Sequence, residues 1–413
     1  MKNIGYTLLA LSSVGVAQIA NAELRDAADF EAAGFTFTPT LSASIGYDDN
    51  IASAPSNEQS ANVYKLAPKL EAKTEFGDFL ALDINTQAEK GVFSGRGFNN
   101  YYDYSFGTGL DFRLSNKQSL EFFYDYSRGH DPAGSPNATS ATLSTEEFRV
   151  NKGGLKYNLG NKDSIARLEL GVNAEGKRYK ESSASTKDFD ADQIDAKGFF
   201  AVAPKTEVFL QAISTEYDYL NNSDSLDNDD TQVFLGVQWQ ATAKTSGSFK
   251  IGNQEKEYTE RSPEVEEDET VWQLGVKWEP KSYSAFNFGL SRELDNGNGN
   301  DVARTEDAID RLTALVGWEH NWSDDLKTNI GARFVEDEYL GSGTARDGIE
   351  AETIGFNAGL EFQVERNFTI SMNYSYTDKT ADPANSTAAA IALADAEEFS
   401  QSSAVVFGVE IGL

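Results

Sequence analysis

From Phe35 to the end of the chain, apolar side chains alternate with polar or very small ones at a period of two residues. Tyr102, Tyr104, Phe106, Thr108, Leu110, Phe112 and Leu114 share one face of such a run, and Asp103, Ser105, Gly107, Gly109, Asp111 and Arg113 share the other. Leu120, Phe122, Tyr124 and Tyr126 oppose Glu121, Phe123, Asp125 and Ser127 in the same way. Ile354, Phe356, Ala358, Leu360 and Phe362 oppose Gly355, Asn357, Gly359 and Glu361. A period of two is the signature of a β-strand with one apolar face. A water-soluble sheet would alternate too, so other features must decide. The segments fill nearly the whole chain, and no helical-period stretch lies between them to cover their apolar faces. Their connections alternate regularly between short and long. Together these features predict an all-β fold, a transmembrane antiparallel β-barrel with its apolar face in lipid.

About eighteen segments are present, beginning near residues 35, 62, 79, 100, 118, 145, 163, 190, 206, 230, 246, 269, 282, 307, 326, 350, 367 and 400. Sixteen strands is the alternative, because the stretch 148–159 changes phase at Gly153 and Gly154, which reads as a β-bulge. Short turns rich in Asn, Asp, Gly, Ser and Pro fall near 76–78, 114–118, 159–163, 203–206, 242–245, 279–282, 321–325 and 364–367. Long loops fall near 48–61, 90–99, 128–144, 175–189, 216–229, 256–268, 292–306, 337–349 and 377–398. Short turns face the periplasm and long loops face outside in bacterial barrels, so an even strand count puts both ends of the barrel in the periplasm. Trp239, Trp278, Trp318 and Trp322 adjoin short turns, and Tyr47, Tyr126, Tyr217, Tyr219 and Tyr374 adjoin long loops. These read as two interfacial girdles. The loop 377–398 is Ala-rich and helix-capable, with a capping signal at Asn385, Ser386 and Thr387, and is a candidate constriction.

The two ends of the chain agree with this reading. Residues 1–22 combine Lys2, an apolar run and the small residues Ala20, Asn21 and Ala22, the pattern of a cleaved signal peptide. Residues 23–34 read as a polar periplasmic segment of one or two helical turns, and 35–413 as the barrel. Val405, Phe407, Val409, Ile411 and Leu413 alternate to the last residue, like the terminal signal of barrel insertion, although that signal usually ends in an aromatic.

Composition narrows the functions. The chain is acidic, with net charge -31, which excludes nucleic acid and a basic face for anionic surfaces as the general mode of binding. Aromatics at 12% exclude a disordered acidic chain. The absence of Cys suits export through an oxidising compartment. Only two His are present, His130 and His320, and the topology puts them at opposite membrane faces. No zinc spacing, phosphate-cradling loop or catalytic triad stands out, and no enzyme activity or cofactor is expected. Acidic groups near the outer loops, Asp227, Asp229 and Asp230 among them, are weak candidates for Ca²⁺ and read more simply as a solvated surface beside outer-membrane lipid and lipopolysaccharide.

Parity assigns an inward-facing set of both signs. Lys65, Lys69, Lys73, Arg113, Arg149, Arg167, Lys250, Lys277 and Arg333 point inward, as do Glu71, Asp83, Asp103, Asp111, Glu121, Asp125, Glu169 and Glu361. Such a wall describes a wet lumen. Lys65, Lys69 and Lys73 form a basic ladder on one strand that would favour an anionic passing group. Inward aromatics Tyr101, Phe123, Phe199 and Phe209 offer faces for sugar rings, or pack against an inward loop.

Several stretches carry a family resemblance: GYDDNI at 46–51, YDYLNNSDSLDNDDTQVFLGVQWQATAKTSGSFKIG at 217–252, SYSAFNFGLSR at 282–292 and NWSDDLKTNIGARF at 321–334. They resemble the putative β-barrel porin type 2 family of outer-membrane barrels, and the resemblance spans nearly the whole chain after residue 22. It implies a passive conduit for exopolysaccharide export in a Gram-negative outer membrane, with a periplasmic polysaccharide-export partner and no catalytic residues. The alternatives are an uptake porin for small solutes and a surface barrel with no transport role.

Overall fold

The computed structural model describes residues 29–54, 57–132, 145–221, 226–259, 261, 264–297, 306–341, 346–385, 387–397 and 399–412. The expected signal peptide, residues 1–22, lies outside them. The strands are β1 Phe30–Ala32, β2 Phe35–Asp48, β3 Ala61–Phe76, β4 Leu80–Phe93, β5 Tyr101–Ser115, β6 Gln118–Asp131, β7 Glu146–Leu159, β8 Ala166–Tyr179, β9 Phe189–Ala203, β10 Thr206–Tyr219, β11 Asn228–Thr242, β12 Thr245–Tyr258, β13 Val265–Lys281, β14 Ser284–Asn296, β15 Ala308–Asn321, β16 Leu326–Leu340, β17 Glu350–Glu365, β18 Phe368–Asp382 and β19 Phe399–Gly412. Among the described residues a single α-helix, α1 at Ala388–Glu397, precedes β19.

Strands β2 to β19 pair with their sequence neighbours in antiparallel order. The sheet closes where β19 meets β2, from Ala404 opposite Asp48 to Gly412 opposite Thr40. The protein is an eighteen-stranded barrel. Closure removes the unpaired edge that an open sheet would expose to hydrocarbon, where an unmet N–H or C=O is expensive. The apolar sets of the sequence pattern form the outer wall: Ile45, Tyr64, Leu66, Phe106, Phe122, Leu210, Leu235, Phe288, Leu360 and Phe407 are large and exposed there. The turns from β5 to β6, β9 to β10, β11 to β12, β13 to β14 and β17 to β18 leave only two residues outside the strands. Trp278 stacks on Phe286 at 5.2 Å and His320 lies 4.4 Å from Trp322, so the aromatic girdle stands at the short-turn end.

Two local expectations are corrected. Residues 148–159 form an unbroken strand with no bulge. Gly153 pairs with Tyr124 and Ala174, and Gly154 with Phe123 and Asn173, in continuous register. The apparent phase change arises because Glu147, Arg149 and Asn151 face outward above the hydrocarbon band, where polar residues are tolerated on either face. The segment before β2 is not helical where it is described: Phe30–Ala32 folds back on β2 as a strand, with Phe30 stacked on Phe37 at 5.2 Å. Ala33 and Gly34 make that turn with φ of 53° and 82°, the left-handed pair that a tight hairpin of this hand requires.

The packed core sits at the long-loop end. Tyr258, Tyr339, Leu226, Ile349, Val271, Glu146 and Asn50 are among the largest fully buried side chains there. Pairing of β13 with β14 ends at Trp272 opposite Arg292, while β14 stays paired with β15 as far as Asn296. Beyond that point β14 leans into the lumen, across the inner face of β12. Gln254 on β12 substitutes for the lost strand partner: its Nε2 donates to Leu294 O at 2.8 Å and its Oε1 accepts from Leu294 N at 3.0 Å.

Candidate solute pathway through the barrel

Register fixes which side chains line the interior. Lys65, Lys69, Lys73, Arg113, Arg167, Lys250, Lys277, Arg333, Tyr101, Phe123, Phe199 and Phe209 all fall on the face opposite the lipid-exposed set. Arg149 does not. It pairs directly with Arg128 and Arg178 on the outer face and is exposed there, for the reason given for its strand.

The basic ladder is paired where it stands, its three lysines sharing two carboxylates. Lys69 and Lys73 lie 2.6 and 3.3 Å from Glu71, and Lys65 lies 3.3 Å from Glu89. Lumen cations without a carboxylate within ion-pair reach, among the described residues, include Lys177, Lys197 and Lys250 on β8, β9 and β12, and Arg333 on β16. Lys177 and Lys197 escaped the sequence reading, although parity within their strands places them inward beside Glu175 and Phe199. Asp83, Asp111 and Asp125 on β4, β5 and β6 likewise have no cation within reach. The inner wall therefore carries unpaired charge of both signs: Arg113 stands near Asp111 on β5, and Asp195 near Lys197 on β9, with no ion pair to any of them among the described residues.

The inward aromatics do not present free faces. Tyr101, Phe123 and Phe209 lie flat over Gly91, Gly154 and Gly236 of the adjoining strands, where a Cβ would overlap the ring. The other sides of Tyr101 and Phe209 are occupied too. Lys197 Nζ sits 3.9 Å from the Phe209 centroid, and Arg167 covers Phe199 at 4.0 Å. His130 stacks on Tyr101 at 4.0 Å while its Nδ1 lies 2.9 Å from Asp103. Lys250 covers a further inward ring, Phe234, at 3.9 Å. These are wall-bracing cation–π pairs, and what they offer the lumen is mainly ammonium and guanidinium. Gly236→Val is expected to destabilise the barrel by about 1–3 kcal/mol through overpacking against Phe209, read as a lowered urea midpoint in lipid vesicles.

The long-loop mouth is narrowed by two inward elements. The first is the inturned end of β14, tied down by buried charge. Lys256 lies 2.5 Å from Asp230, with side chains 2% and 5% exposed, and its Nζ also donates to Asn296 Oδ1 at 2.8 Å. Arg311 bridges Asp337 at 2.6 Å and reaches Asp295. The second is α1. Thr387 caps it, Oγ1 accepting from Ala390 N at 3.3 Å, as the sequence signal suggested. Ala394 joins Ile309, Tyr339, Ile349, Ala351 and Ala381 in one buried apolar cluster. Those partners face inward by register, so α1 lies against the lumen side of β15 to β18. Below β14 a cavity of about 220 Å³ opens, lined by Gln232, Phe234, Lys250, Gln273, Ser291 and Glu293 among others.

The weak calcium candidates separate. Asp230 points inward to Lys256, Asp229 points outward, and Asp227 accepts from Tyr219 N at 2.7 Å. Among the described residues no group of three acidic or His side chains converges to hold a metal. His130 and His320 stand at opposite ends of the barrel.

A family model described as putative beta-barrel porin 2 matches residues 26–394. No curated protein matches. Among solved structures, the FrpB iron transporter from Neisseria meningitidis in its apoprotein form is similar with a TM-score of 0.51 at 9% identity, over 84% of this chain and 61% of that one. This chain thus spans under two thirds of that transporter's length. OccAB3 of Acinetobacter baumannii has a TM-score of 0.48 at 12% identity, over 91% and 99% of the two chains, and OccD3 of Pseudomonas aeruginosa 0.47 at 12%, over 95% and 94%.

Proposed function

Since the chain belongs to the putative beta-barrel porin 2 family, and so to the Gram-negative outer membrane, we propose that it is a passive diffusion channel for small hydrophilic solutes. The carrying observation is the inner wall, hydrophilic and bearing unpaired charge of both signs, beneath a mouth narrowed by β14 and α1. A barrel of this strand number encloses more space than side chains alone can fill. The inturned elements reduce it to a passage suited to small polar molecules. Unpaired charges of both signs, Asp83, Asp111 and Asp125 with Lys177, Lys197 and Lys250 among them, favour polar and dipolar solutes over apolar ones.

Single-channel recording in planar bilayers tests this reading. Discrete conductance steps are expected. The double variant Lys197→Glu with Lys250→Glu is expected to shift the reversal potential toward cation selectivity in a salt gradient. A barrel that never conducts would instead support a surface role without transport.

The exopolysaccharide conduit is the second reading, and the large closed strand number favours it. It requires the mouth to open and the lumen to engage sugar rings, whereas the rings of Phe199, Phe209 and Phe234 lie beneath cations of the wall. A periplasmic polysaccharide-export partner goes with this reading alone. Normal exopolysaccharide in a deletion strain, together with small-solute conductance, would leave the porin reading standing.

A further inference from the structure

Much of the outer wall at the long-loop end is acidic. Carboxylates oppose carboxylates across neighbouring strands there: Asp229 faces Glu257, Glu255 faces Asp268, and Glu336 faces Glu352. On β6 to β8 the sign reverses. Arg128 pairs with Arg149, and Arg149 with Arg178, so three guanidinium side chains stand side by side on consecutive strands. Lys180, just past β8, adds a fourth cation. Like charges placed directly opposite one another on a sheet destabilise it. Two carboxylates relieve this in part: Glu147 lies 2.5 Å from Arg128 and 2.6 Å from Lys180, and Asp190 lies 2.7 Å from Arg178. Arg149, in the middle of the row, is exposed and has no carboxylate within ion-pair reach among the described residues.

The level of this row identifies its environment. On the same face Tyr104 stands directly opposite Arg128, and Tyr126 and Tyr124 follow along β6 toward the short-turn end. The Tyr104 and Tyr126 hydroxyls lie 3.3 Å apart, and Tyr124 Oη donates to Asn151 Oδ1 at 3.1 Å. Tyrosines with apolar bodies and bonded hydroxyls mark the headgroup level of a membrane-spanning barrel. Arg149 therefore stands at headgroup height on the lipid side of the wall, facing neither the lumen nor bulk water.

We propose that Arg128, Arg149, Arg178 and Lys180 form a binding site for the phosphate groups of an outer-leaflet glycolipid of the lipid A type. The guanidinium fork matches a phosphate bidentately, and a dianionic phosphate between adjacent Arg side chains removes their mutual repulsion. The acidic arcs elsewhere would need divalent cations between themselves and the same phosphates; this arc binds them directly. One fixed lipid would anchor the barrel beside β6 to β8.

The test uses the full-length barrel extracted in detergent, with EDTA present so that no divalent cation bridges acid to phosphate. Purified bisphosphorylated lipid A, the same lipid stripped of phosphate, and inorganic phosphate are each titrated, with bound adducts read by native mass spectrometry. The wild-type protein is expected to bind lipid A and to bind the dephosphorylated lipid and free phosphate far more weakly. Arg149→Gln is expected to weaken lipid A binding about tenfold, the loss of one charge-assisted phosphate contact. Because Arg149 has no carboxylate partner to strand, that variant should keep its fold, checked by heat-modifiable migration. Lys205→Gln, an equal charge change in the turn between β9 and β10, should bind as the wild type does. Equal binding by Arg149→Gln and wild type, or equal binding of the dephosphorylated lipid, would overturn the proposal. So would equal loss in Lys205→Gln, or free phosphate binding as tightly as the lipid.

Discussion

Lys256→Met is expected to lower the stability of the long-loop end by about 3–5 kcal/mol, because it leaves the Asp230 carboxylate buried without its cation. Asp230 is buried, with its side chain 5% exposed and that of Lys256 only 2%. The loss spreads beyond the pair. Asp230 also accepts from Gln254 Nε2 at 2.8 Å, and Gln254 is the residue that holds the backbone of β14 at Leu294. Lys256→Met should therefore free the inturned segment as well as lower the urea midpoint. Limited proteolysis near Leu294 would read the first effect and tryptophan fluorescence the second. Asp230→Asn combined with Lys256→Met should recover most of the loss, since two neutral side chains carry no stranded charge. A single variant as stable as the wild type would show that the pair does not tie β14 to the wall.

Deleting Ala388–Glu397, with a short Gly-Ser bridge in its place, is expected to raise single-channel conductance severalfold by removing one of the two elements in the mouth. The helix is poorly anchored by comparison with the strands. Ala is a strong helix former and gives α1 its conformation, but its side chain buries little area. Contact with the inner wall rests on Ala390 and Ala394, one turn apart on the same helix face. Ala394→Glu should reproduce much of the effect by placing a charge among Ile309, Tyr339, Ile349 and Ala351. Ile391→Ser, on the exposed side of α1, should leave conductance unchanged. Equal conductance in the wild type and the deletion would place the constriction elsewhere, with β14 the next element to test.

The lumen charges show how far a sequence pattern reaches. Parity found Arg113, Arg167, Lys250, Lys277 and Arg333 on the inner wall, and they are there. It also put Lys65, Lys69 and Lys73 there, with Glu71 between the last two, but not the carboxylate that pairs with Lys65. Glu89, the partner of Lys65, comes from the adjoining strand at a register that no local pattern encodes. The same holds for the aromatics. Phe199 and Phe209 point inward as expected, but Arg167 and Lys197 cover them, on β8 and β9. Facing direction is a local property, whereas what covers a side chain is decided by the strand beside it.

The sequence by itself determined the all-β class, a strand count near eighteen with sixteen left open, the end at which the turns are short, and the lipid-facing set. It could do so because hydrocarbon tolerates no unpaired backbone and few polar side chains, so every segment within the membrane band must alternate. Above that band both faces of a strand meet water or headgroups, and alternation no longer distinguishes in from out. Arg149 was misplaced for that reason, and the unbroken strand 146–159 looked interrupted. The tertiary structure alone decided the inward lean of β14, the seating of α1, the pairing of the lysine ladder and the row of Arg128, Arg149 and Arg178. Each depends on register between strands and on loops that pack across the mouth, and these contacts join residues far apart in the chain.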